Sequence, residues 1–234
     1  MEPITISIHF LSGYAVQSGY GLAGILDNTI TKDDKGLPYI PGTTLKGVIR
    51  EACEEIALLK RHRPYETVIE EMKNITKNGG DLKDPNVYGP ITRLFGTPFI
   101  PSALEFHSAY LKKHGMDPAT REFIRKSVSW NESHTSISYA TGTAKKDHLF
   151  SMEVASPDFD HPDYIFCFDI VPAAGLVDND LLSLLFCGIR LVDHIGSGKT
   201  RGKGLVKMEI PAKYAGKSID DWIAITFNPN WSEL

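Results

Sequence analysis

The sequence predicts an α+β fold, a ferredoxin-like (RRM-like) βαββαβ core carrying long inserted segments. Three observations support this. Period-two alternation occurs in four short stretches, and helical periodicity occurs in two long ones. With the polar and glycine-rich insertions set aside, their order is strand, helix, strand, strand, helix, strand, the split βαβ pattern.

Ile4, Ile6, Ile8 and Phe10 alternate with Thr5, Ser7 and His9, giving a half-buried first strand in which His9 is structural. Residues 12–42 carry Gly13, Gly19, Gly21, Gly24, Gly36, Pro38, Pro41 and Gly42 and read as a long loop. Loops of that length in compact domains are usually functional or disordered. Leu45, Val48, Ile49, Cys53, Ile56 and Leu59 share one face of a helix, with Thr43 or Thr44 as N-cap. Val68, Ile69, Met72 and Ile75 predict an inserted amphipathic helix, followed by a loop at Gly79, Gly80 and Pro85. Leu104, Phe106 and Tyr110 read as the second core strand, and residues 114–163 as a polar excursion. Phe166, Phe168 and Ile170 form the third strand. Asp178 caps a helix that buries Leu181, Leu184, Leu185 and Ile189, and Leu205, Val206, Met208 and Ile210 form the last strand. Two helices then cover one face of a four-stranded antiparallel sheet. Trp222 to Phe227 reads as an added edge strand. The expected organisation is one domain over residues 1–234, with its core at about 1–62, 100–112 and 164–210. Insertions fall at 63–99 and 113–163, and a C-terminal extension at 211–234.

Composition narrows the class of function. With 234 residues, 42% hydrophobic and 23% charged, the chain is ordinary globular protein and needs no disulfide or metal staple. A net charge of −4 argues against a surface that coats nucleic acid or an anionic membrane, while leaving room for a local basic groove. Cys53, Cys167 and Cys187 form no CxxC pair, which points to a cytoplasmic protein. No apolar leader follows Met1. The apolar runs Tyr164 to Val171 and Leu181 to Val192 are interrupted by Asp169 and Arg190, so neither a signal peptide nor a membrane span is expected. The Asn-x-Ser/Thr triplets at Asn74, Asn131 and Asn230 are read as chance.

Gly196-Ser197-Gly198-Lys199-Thr200 looks like a nucleotide-binding P-loop but is not one. Asp193 stands where the first glycine belongs, and the predicted order is helix then strand rather than strand then helix. What remains is a glycine-rich loop, with Lys199, Arg201, Lys203 and Lys207 and no acidic residue from Gly196 to Lys207. Two readings stand: a backbone cradle for a phosphodiester, or a tight turn with a solvated basic rim. The segment from Pro38 to Arg50 delivers a Pro41-Gly42 turn into a helix bearing Thr43, Thr44, Lys46 and Arg50 in its first turns. It reads either as an anion site or as an ordinary capped helix. Gly47, inside the helix, costs about 1 kcal/mol relative to alanine, a hint that something passes close by. Lys60-Arg61-His62-Arg63 reads as a solvated helix end, and Asp158, Asp160, His161 and Asp163 as an acidic loop without ligand spacing. Trp130 reads as a core residue.

These motifs together resemble the RAMP superfamily, the repeat-associated CRISPR RNA-binding proteins. Ile40 to Gly47 with Arg50 is similar to that family's IPGSSLKG-x-x-R segment, and Gly196 to Gly204 to its C-terminal glycine-rich loop. Arg93-Leu94-Phe95-Gly96 matches its RLFG segment. Thr141-Gly142-Thr143-Ala144-Lys145, followed by Leu149, Phe150 and Glu153, resembles the TGTAK segment of one branch, the repeated backbone subunit of type III CRISPR interference complexes. The matches run in order from residue 10 to residue 210.

The resemblance implies a subunit that stacks with further copies of itself and other effector subunits along a CRISPR guide RNA and cleaves complementary target RNA. Asp27, in Gly24-Ile25-Leu26-Asp27-Asn28, falls where that branch carries its catalytic Asp, one residue further from the glycine. By resemblance it is the catalytic residue of a metal-dependent endoribonuclease. It would hold Mg²⁺ or another divalent cation against the scissile phosphate or orient the 2′-OH. On the residues alone, Asp27 starts an Asx-turn with Asn28. The implied RNA-binding residues are Thr43, Thr44, Lys46, Arg50, Lys145, Gly196, Gly198, Lys199, Arg201 and Lys203. In relatives the insertion at 63–99 acts as a lid and that at 113–163 as a thumb that presses between bases, for which Lys145, Lys146, Phe150 and Met152 are suited. The chain departs from many relatives in carrying Ala15 where a histidine stands in the first loop, and His107 and Ser108 where an Asp often follows. Two other readings remain: a non-catalytic RNA-holding subunit of the same complex, or a stand-alone processing nuclease, which needs a histidine at the scissile bond.

Overall fold

The computed structural model describes residues 2–59, 68–111, 129–156 and 164–227, together with positions 119, 122 and 124. Strand β1 (Ile4–Phe10) alternates buried and accessible residues along its whole length. It lies between β7 (Phe166–Pro172) and β8 (Val206–Glu209), antiparallel to both, with Ile6 opposite Phe168 and Ile8 opposite Met208. On the far side β7 pairs with β3 (Leu104–Phe106) and β4 (Ala109–Leu111), and β4 pairs with β2 (Tyr39–Ile40). The sheet therefore has six strands in the order β2-β4-β7-β1-β8, with β3 also on β7. All its pairings are antiparallel. The expected single strand from Leu104 to Tyr110 is split at His107 and Ser108, because the Ser108 hydroxyl turns to accept a hydrogen bond from the Gly42 amide at 3.1 Å.

Helix α1 (Gly42–Leu59) buries Leu45, Ile49, Cys53 and Ile56 at helical spacing. Leu59, expected in the core, is 81% exposed, because the buried stripe shifts to Ala52, Ile56 and Ala57 in the last turns. Helices α2 (Val68–Lys77) and α3 (Pro90–Phe95) precede β3. The Glu71 carboxylate of α2 accepts from Gly89 N and Thr92 Oγ1 of α3. Helix α4 (Asn179–Leu191) starts at the Asp178 cap, whose carboxylate accepts from the amides of Asp180 and Leu181 at 3.1 and 2.9 Å. Arg93 of the RLFG segment reaches the same cap at 2.8 Å, so that motif ties two helix ends together. Trp222 does not join the sheet: it lies in α5 (Ile219–Thr226), which follows the short pair β9 (Lys213–Tyr214) and β10 (Lys217–Ser218). Ser183 of α4 donates to the Trp222 carbonyl at 2.6 Å. No described helix is long and apolar enough to cross a membrane.

The polar excursion forms a hairpin of β5 (Ser129–Ile137) and β6 (Ala144–Ala155). Its outer half is exposed, whereas the end of β6 from Met152 to Ala155 is buried. Glu153, 5% exposed, fastens that end to the long loop. Its carboxylate accepts from Lys32 Nζ at 2.6 Å, from Ile30 N at 3.1 Å and from Ser129 Oγ. Burial pushes its pKa up, but Lys32, Ser129 and the Ile30 amide outweigh that and hold it below the ordinary value. The basic run 60–63 and the acidic run 158–163 lie outside the described residues.

Glu153→Ala should cost about 3 kcal/mol, the upper range for a hydrogen bond to a charged group. That corresponds to a fall of roughly 6–12 °C in Tm for a chain of this size. Because the folded pKa is lowered, the part of the wild-type advantage that depends on ionisation should be complete above the ordinary value of 4.5 and be lost as pH falls through the lower folded value. Urea titrations of both proteins across that range check both statements.

Candidate functional site

The long loop is more ordered than its glycines suggest. Gln17 bridges Ile30 and Leu22 bridges Leu26, so residues 17–30 double back as an irregular hairpin. Asp27 lies exposed near its tip. Its carboxylate does not accept from the Thr29 amide two residues on, as an Asx-turn requires, since Thr29 N donates to the Tyr20 carbonyl; its partner is Ser151 on β6. Asp27 Oδ2 accepts from Ser151 N at 2.7 Å and from Ser151 Oγ at 3.4 Å, and Asp27 N donates to the Ser151 carbonyl at 3.0 Å. A clamp between two distant segments of the chain thus fixes one carboxylate oxygen. Among the described residues, no hydrogen bond is made by Oδ1 and no three His, Cys, Asp or Glu side chains group as a metal site. Mg²⁺ is often held by one or two carboxylates plus substrate phosphates. The donor set here therefore suits a cation shared with an RNA phosphate rather than one held by protein alone.

The second expected element is the start of α1. The helix begins at Gly42, so Thr43 and Thr44 lie inside its first turn and neither is the N-cap. A Cβ at Gly42 would come within 2.3 Å of the Phe106 carbonyl, so only glycine allows this junction of helix and sheet. Thr43 is exposed, while Thr44, Lys46 and Arg50 are half-buried. Burial, and secondarily Arg50 nearby, lower the pKa of Lys46. Two cations one turn apart repel each other, and an anion between them relieves the repulsion. Arg50 is also paired with Glu54 at 2.7 Å. Gly47 is exposed, and among the described residues no atom outside its own stretch of helix lies within 4 Å of where its Cβ would stand.

The glycine-rich loop follows α4 and precedes β8, as expected against a P-loop. Gly198 and Gly202 flank one 3₁₀ turn, Lys199–Arg201. Gly196 has φ +94°, and a Cβ there would sit 2.7 Å from the Ala15 carbonyl, so the loop is pinned to the first loop by backbone contact. The lysines are not equivalent. Lys199, exposed, reaches Asp193 at 3.2 Å, and Lys207, also exposed, reaches Glu209 at 2.9 Å. Exposed pairs of this kind are weak and exchange readily for a phosphate. Lys203 is different: its side chain is 13% exposed and bonded to Glu132 Oε1 at 2.6 Å. It is a latch between loop and hairpin, whereas the sequence places it among the RNA-binding residues.

Backbone hydrogen bonds join these pieces. Ser197 N donates to the Ala15 carbonyl at 2.9 Å, Thr31 N to the Val16 carbonyl at 2.9 Å, and Tyr39 N to the Thr31 carbonyl at 3.2 Å. Three inter-strand steps and the one residue from Ala15 to Val16 place Ser197 within roughly 18 Å of Tyr39, three residues before α1. Tyr14 and Ala155 exchange both their backbone bonds, and Glu153 N donates to the Asn28 carbonyl at 2.9 Å, which brings the Asp27 segment into the same ladder. Lys145 stands apart. It lies on the outer half of β6, six residues from Ser151, roughly 20 Å along an extended strand.

The thumb residues are redistributed. Phe150 stacks on His134 at 5.3 Å and Met152 is buried, so both face inward. The large apolar side chains exposed at the outer end are Ile137, Tyr139 and Leu149, with Tyr139 fully exposed. Sequence reasoning missed Ser151, Lys32 and Glu132, since each meets its partner across 71 to 124 residues and no local pattern marks such a pairing.

Comparison with known proteins bears on the family and the fold. The model of the RAMP superfamily matches residues 7–207. A comparison with curated proteins found no match. Among solved structures, a chain in the cryo-EM structure of the type III-B Cmr-beta bound to cognate target RNA is similar. Its TM-score is 0.58 at 12% identity, over 95% of this chain and 99% of that one. At that identity the likeness is one of fold. With the family model spanning most of its length, this chain belongs to the RAMP superfamily.

Proposed function

We infer that this protein is a guide-RNA-binding backbone subunit of a type III CRISPR effector and cleaves complementary target RNA at Asp27. The observation that carries this reading is the single hydrogen-bonded ladder joining the Asp27 segment, the approach to α1 and the glycine-rich loop. An RNA strand running over that ladder would meet Lys46 near one end and Lys199 and Arg201 at the other, with Asp27 to the side. The strand order β8-β1-β7-β4, with α1 and α4 in contact at Cys53 and Gly188, supports a ferredoxin-like core. In this reading the whole chain acts as one cytoplasmic domain, and Ile137, Tyr139 and Leu149 take the wedge role expected of Phe150 and Met152.

Ser151 fixes the Asp27 carboxylate so that one oxygen is spent on positioning and the other faces the chemistry. That oxygen orients the 2′-OH for in-line attack or helps hold a divalent cation. Such a cation, when bound, neutralises charge at the scissile phosphate. The non-catalytic subunit is the second reading, favoured by the lone carboxylate at this position.

Asp27→Ala in a guide-loaded complex should reduce target cleavage by about 10²- to 10⁴-fold with guide binding intact. Unchanged cleavage selects the non-catalytic subunit. Lys46→Ala with Lys199→Ala should weaken single-strand binding and lower the slope of log K against log salt by about 1.4, roughly 0.7 per lost phosphate contact. Gly47→Ala should stabilise the free protein by about 1 kcal/mol, visible as a Tm rise of roughly 2–4 °C. If a phosphate approaches the helix there, filter binding of RNA by that variant should weaken at the same time.

A further inference from the structure

We propose that the indole of Trp130 is a stacking seat for one base of the single RNA strand whose phosphates lie along the glycine-rich loop, an inference that rests on the RNA-binding reading above. Trp130 was expected in the core, yet it is 41% exposed. Its ring is nevertheless held from three sides. The indole Nε1 donates to Glu132 Oε1 at 2.9 Å. The ring abuts Gly13 so closely that a Cβ there would lie 2.8 Å from Trp130 Cη2. Lys203 Nζ sits 5.9 Å from the ring centroid and bonds the same Glu132 oxygen. Lys203, Trp130 and Glu132 thus form one latched unit. Burial pushes the Glu132 pKa up, but Lys203 and Trp130 outweigh that and hold it low, so the unit is closed at neutral pH.

A tryptophan that serves only packing looks different in this protein. Trp222 is 2% exposed and spends its Nε1 on the Tyr214 carbonyl inside the core. Trp130 has the same rigidity but keeps its ring in reach of solvent, which is the economy of a binding aromatic: little freedom is left to lose when a ligand stacks. Its surroundings fit a nucleotide. Gly204 N donates to the Gly13 carbonyl at 2.8 Å, and Leu11 N to the Leu205 carbonyl at 2.7 Å, so exposed Leu11 and Leu205 stand within a few residues of the ring's support. Exposed Lys199 and Arg201 follow on the same loop. An aromatic plane with apolar flanks and nearby cations takes a base on the ring and a phosphate on the lysine and arginine. Stacking is indifferent to base identity, as a guide of arbitrary sequence requires.

The test compares two probes on the full chain: a fluorescein-labelled oligouridylate and the same ribose–phosphate strand made abasic. Trp130→Ala should weaken the oligouridylate by roughly 5- to 150-fold and leave the abasic strand unchanged, while Trp130→Phe should retain most of the affinity. Where Trp130→Ala fails to fold, Trp130→Leu keeps apolar volume without a π face and should show the same split. Equal weakening of both probes would make Trp130 a structural support and overturn the proposal, as would no change in either. Both results leave the RNA-binding reading standing if Lys199→Ala still weakens both probes. Failure of the wild-type protein to bind either probe overturns the two together.

Discussion

The carboxylate of Glu153 is the constraint on which the site depends. A charge 5% exposed must find partners, and all three of its partners come from elsewhere in the chain: Lys32 and Ile30 from the long loop, Ser129 from the opposite strand. Satisfying that one group docks a glycine-rich, propensity-poor segment onto a strand and fixes its register. Once Ile30 is placed, Asn28 and Asp27 follow onto Met152 and Ser151. The candidate catalytic carboxylate therefore owes its position to a neighbour two residues along β6, not to its own loop.

The parts of the fold governed by periodicity were legible in the sequence. β1, β7, α1 and α4 lie where their alternation or helical spacing put them, and Asp178 caps α4 as expected. Periodicity fails where burial is one-sided at chain ends. Trp222 to Phe227 reads in sequence as an edge strand, but the Trp222 carbonyl docks on Ser183 of α4 and the segment is a short helix. It also fails where a side chain from another element does the capping: Ser108 both breaks a strand and receives the first amide of α1. The motif positions at Gly42, Gly47 and Gly196 were visible as glycines, but their reasons differ. Gly42 and Gly196 answer to carbonyls of this chain, whereas Gly47 answers to nothing among the described residues beyond its own helix.

Charge shows the same division. A run of four basic residues without an acidic one looked in sequence like a cationic rim, yet the fold brings Asp193, Glu132 and Glu209 to Lys199, Lys203 and Lys207. Net charge along a segment does not predict net charge in space. The exposed pairs are easily traded for an external anion, and the half-buried Lys203 is not, because breaking it would strand Glu132 and loosen the indole beside it.

The β5–β6 ribbon carries a last consequence. From Ala144 to Leu149 every residue is exposed, and the six that follow sink progressively into the body. A two-stranded ribbon without a third layer is barely self-supporting in water. The distal span gains nothing from the cohesion of the rest of the molecule, so its direction in space is decided by whatever it leans on.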